Sequence, residues 1–246
     1  MMTVLDIKDM RISAGGDGED AFHLSVPDLF LRRGDCIAVS GPSGCGKSTL
    51  LEVLALLRRP DDVARFRLHP GAGRTPVDLN TGRDLSDLRQ GPIGYVPQMG
   101  GVLPFLTARA QIDAVMYLAQ ANNLRPTRKR RDRFTEALGL LDHMNKRRTE
   151  LSGGQRKRVA LLAGLTVPRT LLIADEPTAG LDERAAARAL HALSSVAAEE
   201  GSAVLIATHD VVAARFAGFT VMSIDNGRLA PTPIGKEAFR HDTSIA

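Results

Sequence analysis

Gly41-Pro42-Ser43-Gly44-Cys45-Gly46-Lys47-Ser48-Thr49 fits the spacing G-x-x-x-x-G-K-[ST], and the rest of the chain is read from this stretch. An apolar run, Cys36-Ile37-Ala38-Val39, stands just before it, and Leu50-Leu51-Glu52-Val53-Leu54-Ala55-Leu56-Leu57 follows. The glycines therefore fall where a strand turns into a helix, which is the context the motif requires. Glycine lets the backbone wrap closely around an anion, and successive N–H groups at a helix N-terminus bind phosphate without a side chain. Lys47 adds a point charge toward the β and γ phosphates, and the Ser48 hydroxyl can complete a Mg²⁺ shell. The stretch reads as a nucleoside triphosphate site, and a chance match in such a chain is on the order of one in a hundred.

The 246 residues allow one large domain or two small ones, and 43% hydrophobic content supplies a buried core. Lys and Arg number 32 and Asp and Glu 28, a net charge of +4 with a pI near 9.4. So mild an excess is compatible with a polyphosphate ligand or a membrane surface and compels neither. The two cysteines, Cys36 and Cys45, lie in the first apolar run and in the glycine loop, so neither is placed for a structural disulfide, and a reducing compartment is expected. Asp6, Lys8 and Asp9 stand where a signal peptide needs its apolar core. The longest apolar stretch, Val159 to Ala174, is broken by Pro168 and Arg169, so a membrane span is not expected.

Outward from the loop, Val4 to Ile12 alternates loosely, Gly15 to Gly18 is turn chemistry, and Phe22–Val26 and Leu29–Leu31 read as short strands of an antiparallel layer. Arg58-Arg59-Pro60 ends the first helical pattern, Arg65 to Leu68 offers a weak strand, and His69 to Asn80 reads as loop or hairpin. Asp84 to Arg89 fits a short helix, and Ile93-Gly94-Tyr95-Val96 a strand that stops at Pro97 and Gln98. Helical spacing through Ile112, Val115, Met116 and Ala119, and again through Phe134, Leu138 and Leu141, predicts an inserted helical lobe at about 100–165. Its basic run, Arg125, Arg128, Lys129, Arg130, Arg131 and Arg133, reads first as a solvated helix face, with an acidic partner or phospholipid headgroups as the other readings. No aromatic residue interleaves it, so a nucleic-acid partner is not expected.

Leu171 to Ala174 and Ala203 to Ala207 read as parallel strands joined by an Ala-rich helix from Asp182 to about Glu199. Val221 to Ile224 and Arg228-Leu229 flank Asp225-Asn226-Gly227, a hairpin turn. The expected organisation is one α/β nucleotide-binding domain over 1–230, with a mostly parallel sheet, an antiparallel β layer and the inserted helical lobe. Residues 231–246 form a tail.

Leu151-Ser152-Gly153-Gly154-Gln155 is a second helix start. Ser152 and Gln155 have capping-box spacing, and two glycines leave first-turn N–H groups uncovered for an anion. Further on, Asp175 and Glu176 close the strand beginning at Leu171, a carboxylate pair suited to a metal shell and to polarising water. Taken with the glycine loop, Leu151 to Gln155 matches letter for letter the signature of the ATP-binding cassette ATPases, and from about Val4 to Leu229 the chain resembles that family.

The resemblance implies ATP as ligand and Mg²⁺ as cofactor, held by Ser48, Gln98 and Asp175. Glu176 would polarise the attacking water, His209 would sense the γ-phosphate, and Gln98 would couple the nucleotide to the helical lobe. Asp182, in Pro177-Thr178-Ala179-Gly180-Leu181-Asp182, would contact the opposite subunit. Leu151, Ser152, Gly153, Gly154 and Gln155 would cover ATP held by a second copy of the chain or a similar cassette. Cassettes of this kind drive an integral membrane permease on a separate chain from the cytoplasmic face of the inner or plasma membrane. Ala174 before Asp175-Glu176-Pro177-Thr178, with Leu85 to Arg89 leading into Ile93 to Val96, is similar to the lipoprotein-releasing and macrolide-efflux types.

Two stretches depart from the pattern. Ser13-Ala14-Gly15-Gly16 stands where relatives carry an aromatic residue for the base, with Phe22 the nearest substitute though better read as an apolar strand position. Leu162-Ala163-Gly164-Leu165 replaces the usual Ala-Arg-Ala-Leu. A kinase using the same glycine loop leaves the second motif without a purpose, and a genome-maintenance ATPase needs a long coiled-coil insertion that the stretch between Gln98 and Leu151 has no room for. A soluble regulatory or translation-associated cassette stays open, although those usually carry two cassettes in one chain. Lys47→Ala is expected to abolish nucleotide hydrolysis and a substitution at Ser152 to depress it, both read as phosphate release; normal turnover in either variant contradicts the assignment.

Overall fold

The computed structural model of the chain describes residues 2–14, 22–71, 74–80, 85–99 and 101–232. The turn expected at Gly15 to Gly18, Asp84 at the start of the short helix, and the tail from residue 233 lie outside the described residues. The strands are β1 (Thr3–Ala14), β2 (Phe22–Arg32), β3 (Cys36–Ser40), β4 (Asp62–Leu68), β5 (Val77–Asp78), β6 (Ile93–Val96), β7 (Leu171–Asp175), β8 (Ala203–Ala207), β9 (Thr220–Asp225) and β10 (Arg228–Pro231). The helices are α1 (Lys47–Leu54), α2 (Ser86–Gln90), α3 (Ala108–Ala121), α4 (Arg128–Ala137), α5 (Gly153–Thr166), α6 (Glu183–Glu200) and α7 (Val211–Phe216).

Among the described residues the strands form one sheet in the order β5-β4-β1-β2-β10-β9-β3-β8-β7-β6. The five strands from β9 to β6 run parallel, while β4, β1 and β2 pair antiparallel and join them through a single parallel pair, Arg228 with Ser25. Every residue of β7 and of β8 is buried. Period-2 alternation explains why: Leu171, Ile173, Leu205 and Ala207 enter the core shared with α1 and the antiparallel layer, while Leu172, Ala174, Val204 and Ile206 enter the one under α5 and α6. A parallel strand covered on both faces reads as an unbroken apolar run, as these do.

Three sequence expectations are corrected. The two short strands expected at Phe22–Val26 and Leu29–Leu31 are one strand, β2, which runs through Pro27. The proline is tolerated because the ladder is interrupted there: Lys8 pairs with Asp28 and Met10 with Val26, and the intervening Asp9 sits at φ 49°. The first helix stops at Leu54, short of Leu57, because Leu56 takes a left-handed conformation (φ 60°). Leu54, Ala55 and Leu56 nevertheless stay buried, so the apolar run outlasts the helix.

The third correction concerns the basic run. Arg130 pairs with Glu200 and donates from Nε to the Leu165 carbonyl at 2.6 Å. Arg133 reaches Glu199 at 2.5 Å and Ser195 at 3.0 Å, while Arg131 pairs with Asp113 and Asp132. Arg130 and Arg131 are thus half-buried in clamps from α4 to the end of α6 and to α3, while Arg125, Arg128, Lys129 and Arg133 stay exposed as the solvated-face reading expects. Burial, then the neighbouring Arg133 charge, lowers the Arg130 pKa to about 10, and the guanidinium stays charged at neutral pH.

The hairpin at Asp225-Asn226-Gly227 forms as read, with Asn226 at φ 46° and Gly227 at φ 68°. The stretch His69 to Asn80 contains β5, which pairs antiparallel with β4.

Leu205 lies at the centre of β8 with no exposed surface. Leu205→Ala is expected to destabilise the fold by about 2–5 kcal/mol, read as a lowered urea midpoint at unchanged slope; an unchanged midpoint contradicts this account of the core.

Candidate nucleotide site

The glycine loop leaves β3 at Ser40 and enters α1 at Lys47. Gly41, Gly44 and Gly46 take φ of 153°, 79° and 93°, values that side-chain-bearing residues rarely adopt. Space is also short. A Cβ on Gly41 would stand 2.7 Å from Cys45 Sγ, and one on Gly46 would stand 2.2 Å from the Phe22 ring. Lys47 is buried, and its Nζ donates to the carbonyls of Gly41 and Pro42 at 2.8 and 3.0 Å. The ammonium is thus held against its own loop, where an arriving phosphate can take it over.

A cleft of about 310 Å³ opens over this loop, large enough for a small polar ligand. It is lined by Ser43, Gly44, Gly46, Lys47, Ser48 and Thr49 from the loop and α1, by Gln98 after β6, by Glu176 and His209, and by Phe22. Gly41, Pro42 and Cys45 belong to the loop but do not line the cleft.

Phe22 packs partly against the core, as its strand position suggests, and also forms a wall of the cleft. Both readings of Phe22 from the sequence, strand position and nearest substitute for a base-facing aromatic, are compatible with this placement, because β2 starts beside Gly46.

β7 and β8 end side by side and set the acidic groups. Glu176 N–H donates to the Ala207 carbonyl at 3.0 Å, and Thr208 N–H to Val39 at 3.0 Å, so the ends of β3, β7 and β8 are tied together under the cleft. Asp175 and Glu176 are both buried, and Asp175 Oδ1 has no hydrogen-bond partner among the described residues. His209, half exposed, brings Nε2 to 3.1 Å from Glu176 Oε1; the approach is a contact without hydrogen-bond direction, and Oε1 likewise lacks a partner. Burial, then the charges of Asp175 and Glu52, pushes the Tyr95 phenol up to about 12, so beside Asp175 it stays a neutral hydroxyl. Both cysteines are free thiols, and burial with the Asp35 charge raises Cys36 to about 11, well away from thiolate formation at neutral pH.

Leu151 to Gln155 stand elsewhere. The capping box is formed: Ser152 Oγ accepts from Gln155 N at 3.2 Å, and Gln155 Oε1 accepts from Ser152 N at 2.9 Å. Gln155 Nε2 lies 3.3 Å from His143 Nε2, whose pKa is held down by burial and then by Lys146 and Arg158. A Cβ on Gly153 would meet nothing within 4 Å, so this helix start is open to a visitor. None of these five residues lines the cleft over the glycine loop. Asp182 caps α6, its Oδ1 accepting from Ala185 N at 2.8 Å. A Cβ on Gly164 would stand 2.5 Å from Val96, so α5 lies close upon β6 and leaves little room for the alanine usual there.

Residues 24–179 match the family described as ABC transporter. Lipoprotein-releasing system ATP-binding protein LolD 1 of Rhodopseudomonas palustris is 34% identical over 188 residues, 74% of this chain and 79% of that protein. The macrolide export ATP-binding/permease protein MacB of the same species, strain HaA2, is 36% identical over 87% of this chain, which spans 32% of that longer protein. The structure of MJ0796, a bacterial ABC transporter cassette solved as a dimer, superposes with a TM-score of 0.76 at 25% identity, covering 92% of this chain and 96% of that one. A second structure of MJ0796, in a post-hydrolysis state with ADP and Pi, superposes at 0.74. With residues 24–179 matching that family and a relative 34% identical over most of both chains, the chain, an α/β fold with a glycine loop at the mouth of its cleft, belongs to the ABC transporter family as an ATP-binding cassette.

Proposed function

We propose that this cassette is the ATP-hydrolysing subunit of a membrane transport complex, working as a head-to-tail dimer coupled to an integral membrane permease on a separate chain. One observation carries the reading: the cleft gathers the glycine loop, Gln98, Glu176 and His209, while the signature helix start is open and lies outside it. One chain thus owns two halves of different sites. A second copy, or a similar cassette, turned head to tail supplies the missing half to each. The dimeric state of MJ0796 supports this arrangement.

In the closed dimer the phosphates of ATP lie against the amides of Gly44 to Thr49, and Lys47 turns from the Gly41 and Pro42 carbonyls to the β and γ phosphates. The partner's Ser152 to Gln155 helix start meets the γ-phosphate from the other side. Mg²⁺ fits the donors present: the Ser48 hydroxyl and the Gln98 amide line the cleft, and the orphaned Asp175 Oδ1 is a buried acceptor for its water shell. Bound there, the ion would offset the negative charge of the β and γ phosphates. Glu176 orients the attacking water and takes its proton. His209, beside Glu176, contacts the γ-phosphate. Loss of that phosphate removes the charge that both helix starts share, and the dimer opens.

The permease side of the proposal draws on Met99 and Phe105, which follow Gln98 and are 92% and 70% exposed. Apolar side chains so placed suit a docking face next to the nucleotide-sensing glutamine. Among the described residues no helix is long and apolar enough to cross a membrane. The complex would place the cassette on the cytoplasmic face of the inner or plasma membrane. The LolD and MacB relatives favour a permease that works on lipoprotein-like or macrolide-like cargo.

Glu176→Gln keeps the shape of the site but removes the base. The variant is expected to bind ATP and elute as a dimer on size-exclusion chromatography with ATP, with hydrolysis lost. Elution only as a monomer contradicts the mechanism.

A further inference from the structure

Glu176 sits at φ 48°, in the left-handed region that is strained for a side-chain-bearing residue and persists only where its surroundings hold it. Backbone contacts account for part of the hold: its N–H donates to Ala207, and its carbonyl accepts from Ala179 N at 3.3 Å. A further hold on the backbone comes from a side chain of another part of the fold. Lys157 Nζ donates to the Glu176 carbonyl at 3.0 Å and to the Ala179 carbonyl at 2.8 Å, closing the turn from Glu176 to Ala179 like a staple.

Lys157 lies on α5, in the second turn after Ser152. Its stem is half buried, and burial lowers its pKa while the carboxylates of Glu176 and Asp175 pull it upward. The side-chain nitrogen meets the turn through its two carbonyls. Nearby, Gly154 packs against the same turn, since a Cβ there would stand 3.2 Å from Leu181. The helix that begins with the signature is thus fastened to the turn that presents the acid.

We propose that Lys157 is a positioning residue for hydrolysis: by joining the signature helix to the Glu176 and Ala179 carbonyls, it fixes the left-handed turn that aims Glu176 into the cleft. The helix start that meets a partner's nucleotide then also sets the posture of the same chain's own base. This rests on the reading of Glu176 as the base given above.

The test is steady-state ATP hydrolysis by the full chain carrying Lys157→Met, Lys157→Arg or Glu176→Gln, singly and with Lys157→Met added to Glu176→Gln. Lys157→Met is expected to lower kcat about 10- to 100-fold, the effect of displacing a reacting group by about 1 Å, with KM for ATP changed less than about twofold because the glycine loop is untouched. Lys157→Arg, which keeps donors at the end of a long stem, recovers most of the loss. In the Glu176→Gln background, Lys157→Met adds no further loss to the residual rate. If the methionine variant does not fold, Lys157→Gln carries the same comparison. Wild-type kcat in the methionine variant, a raised KM at unchanged kcat, or full additivity with Glu176→Gln overturns the inference. Should Glu176→Gln itself turn over normally, the assignment of the base fails and takes this inference with it; loss at Glu176 with none at Lys157 overturns the inference alone.

Discussion

The helix starts at Lys47 and Gly153 face different spaces, and the proposed head-to-tail dimer depends on where they point. One, at Lys47, opens into the cleft that also holds Glu176, His209 and Gln98. The other, at Gly153, opens onto space outside that cleft. Leu151 to Gln155 do not line the cleft over the glycine loop of their own chain. The head-to-tail dimer proposed above would bring one end from each copy to the same phosphate.

The rest of the fold keeps those two ends in a defined relation. The helices between β6 and β7 lie against the sheet through α5, which packs closely on β6 at Gly164. Arg130 and Arg133 tie α4 to the end of α6, and Lys157 ties α5 to the turn after β7. Fully buried strands supply a rigid floor beneath the acid pair. Glu176, at the turn after β7, takes a left-handed conformation, as do Asp9, Leu56, Asn123 and Asn226 elsewhere.

Much of this was legible in the sequence because it is local. The glycine loop, the capping box at Ser152 and Gln155, and the Asn226-Gly227 turn each depend on residues within a few positions of one another, and each forms as its spacing predicts. What stayed hidden depends on distant partners. Arg130 reads as a solvated cation until Glu200, 70 residues on, is brought beside it. Lys157 looks like an ordinary surface residue of α5 until the turn at Glu176 and Ala179 folds under it. Phe22 reads as a strand residue because nothing in its own neighbourhood shows that Gly46 will lie against its ring. Phe22–Val26 and Leu29–Leu31 read as two strands because the interruption that lets one strand run through Pro27 lies at Asp9, on the neighbouring strand.

The sharing of each ATP between two copies is tested most directly by mixing two damaged chains. Lys47→Ala spoils the glycine loop and leaves the signature whole; a disruptive change at Ser152 spoils the signature and leaves the loop whole. A head-to-tail pair of one of each contains one intact composite site. The account predicts that phosphate release, lost in each protein alone, returns when the two are mixed. A mixture as inactive as its components would mean that each chain completes its own site, and would contradict the account.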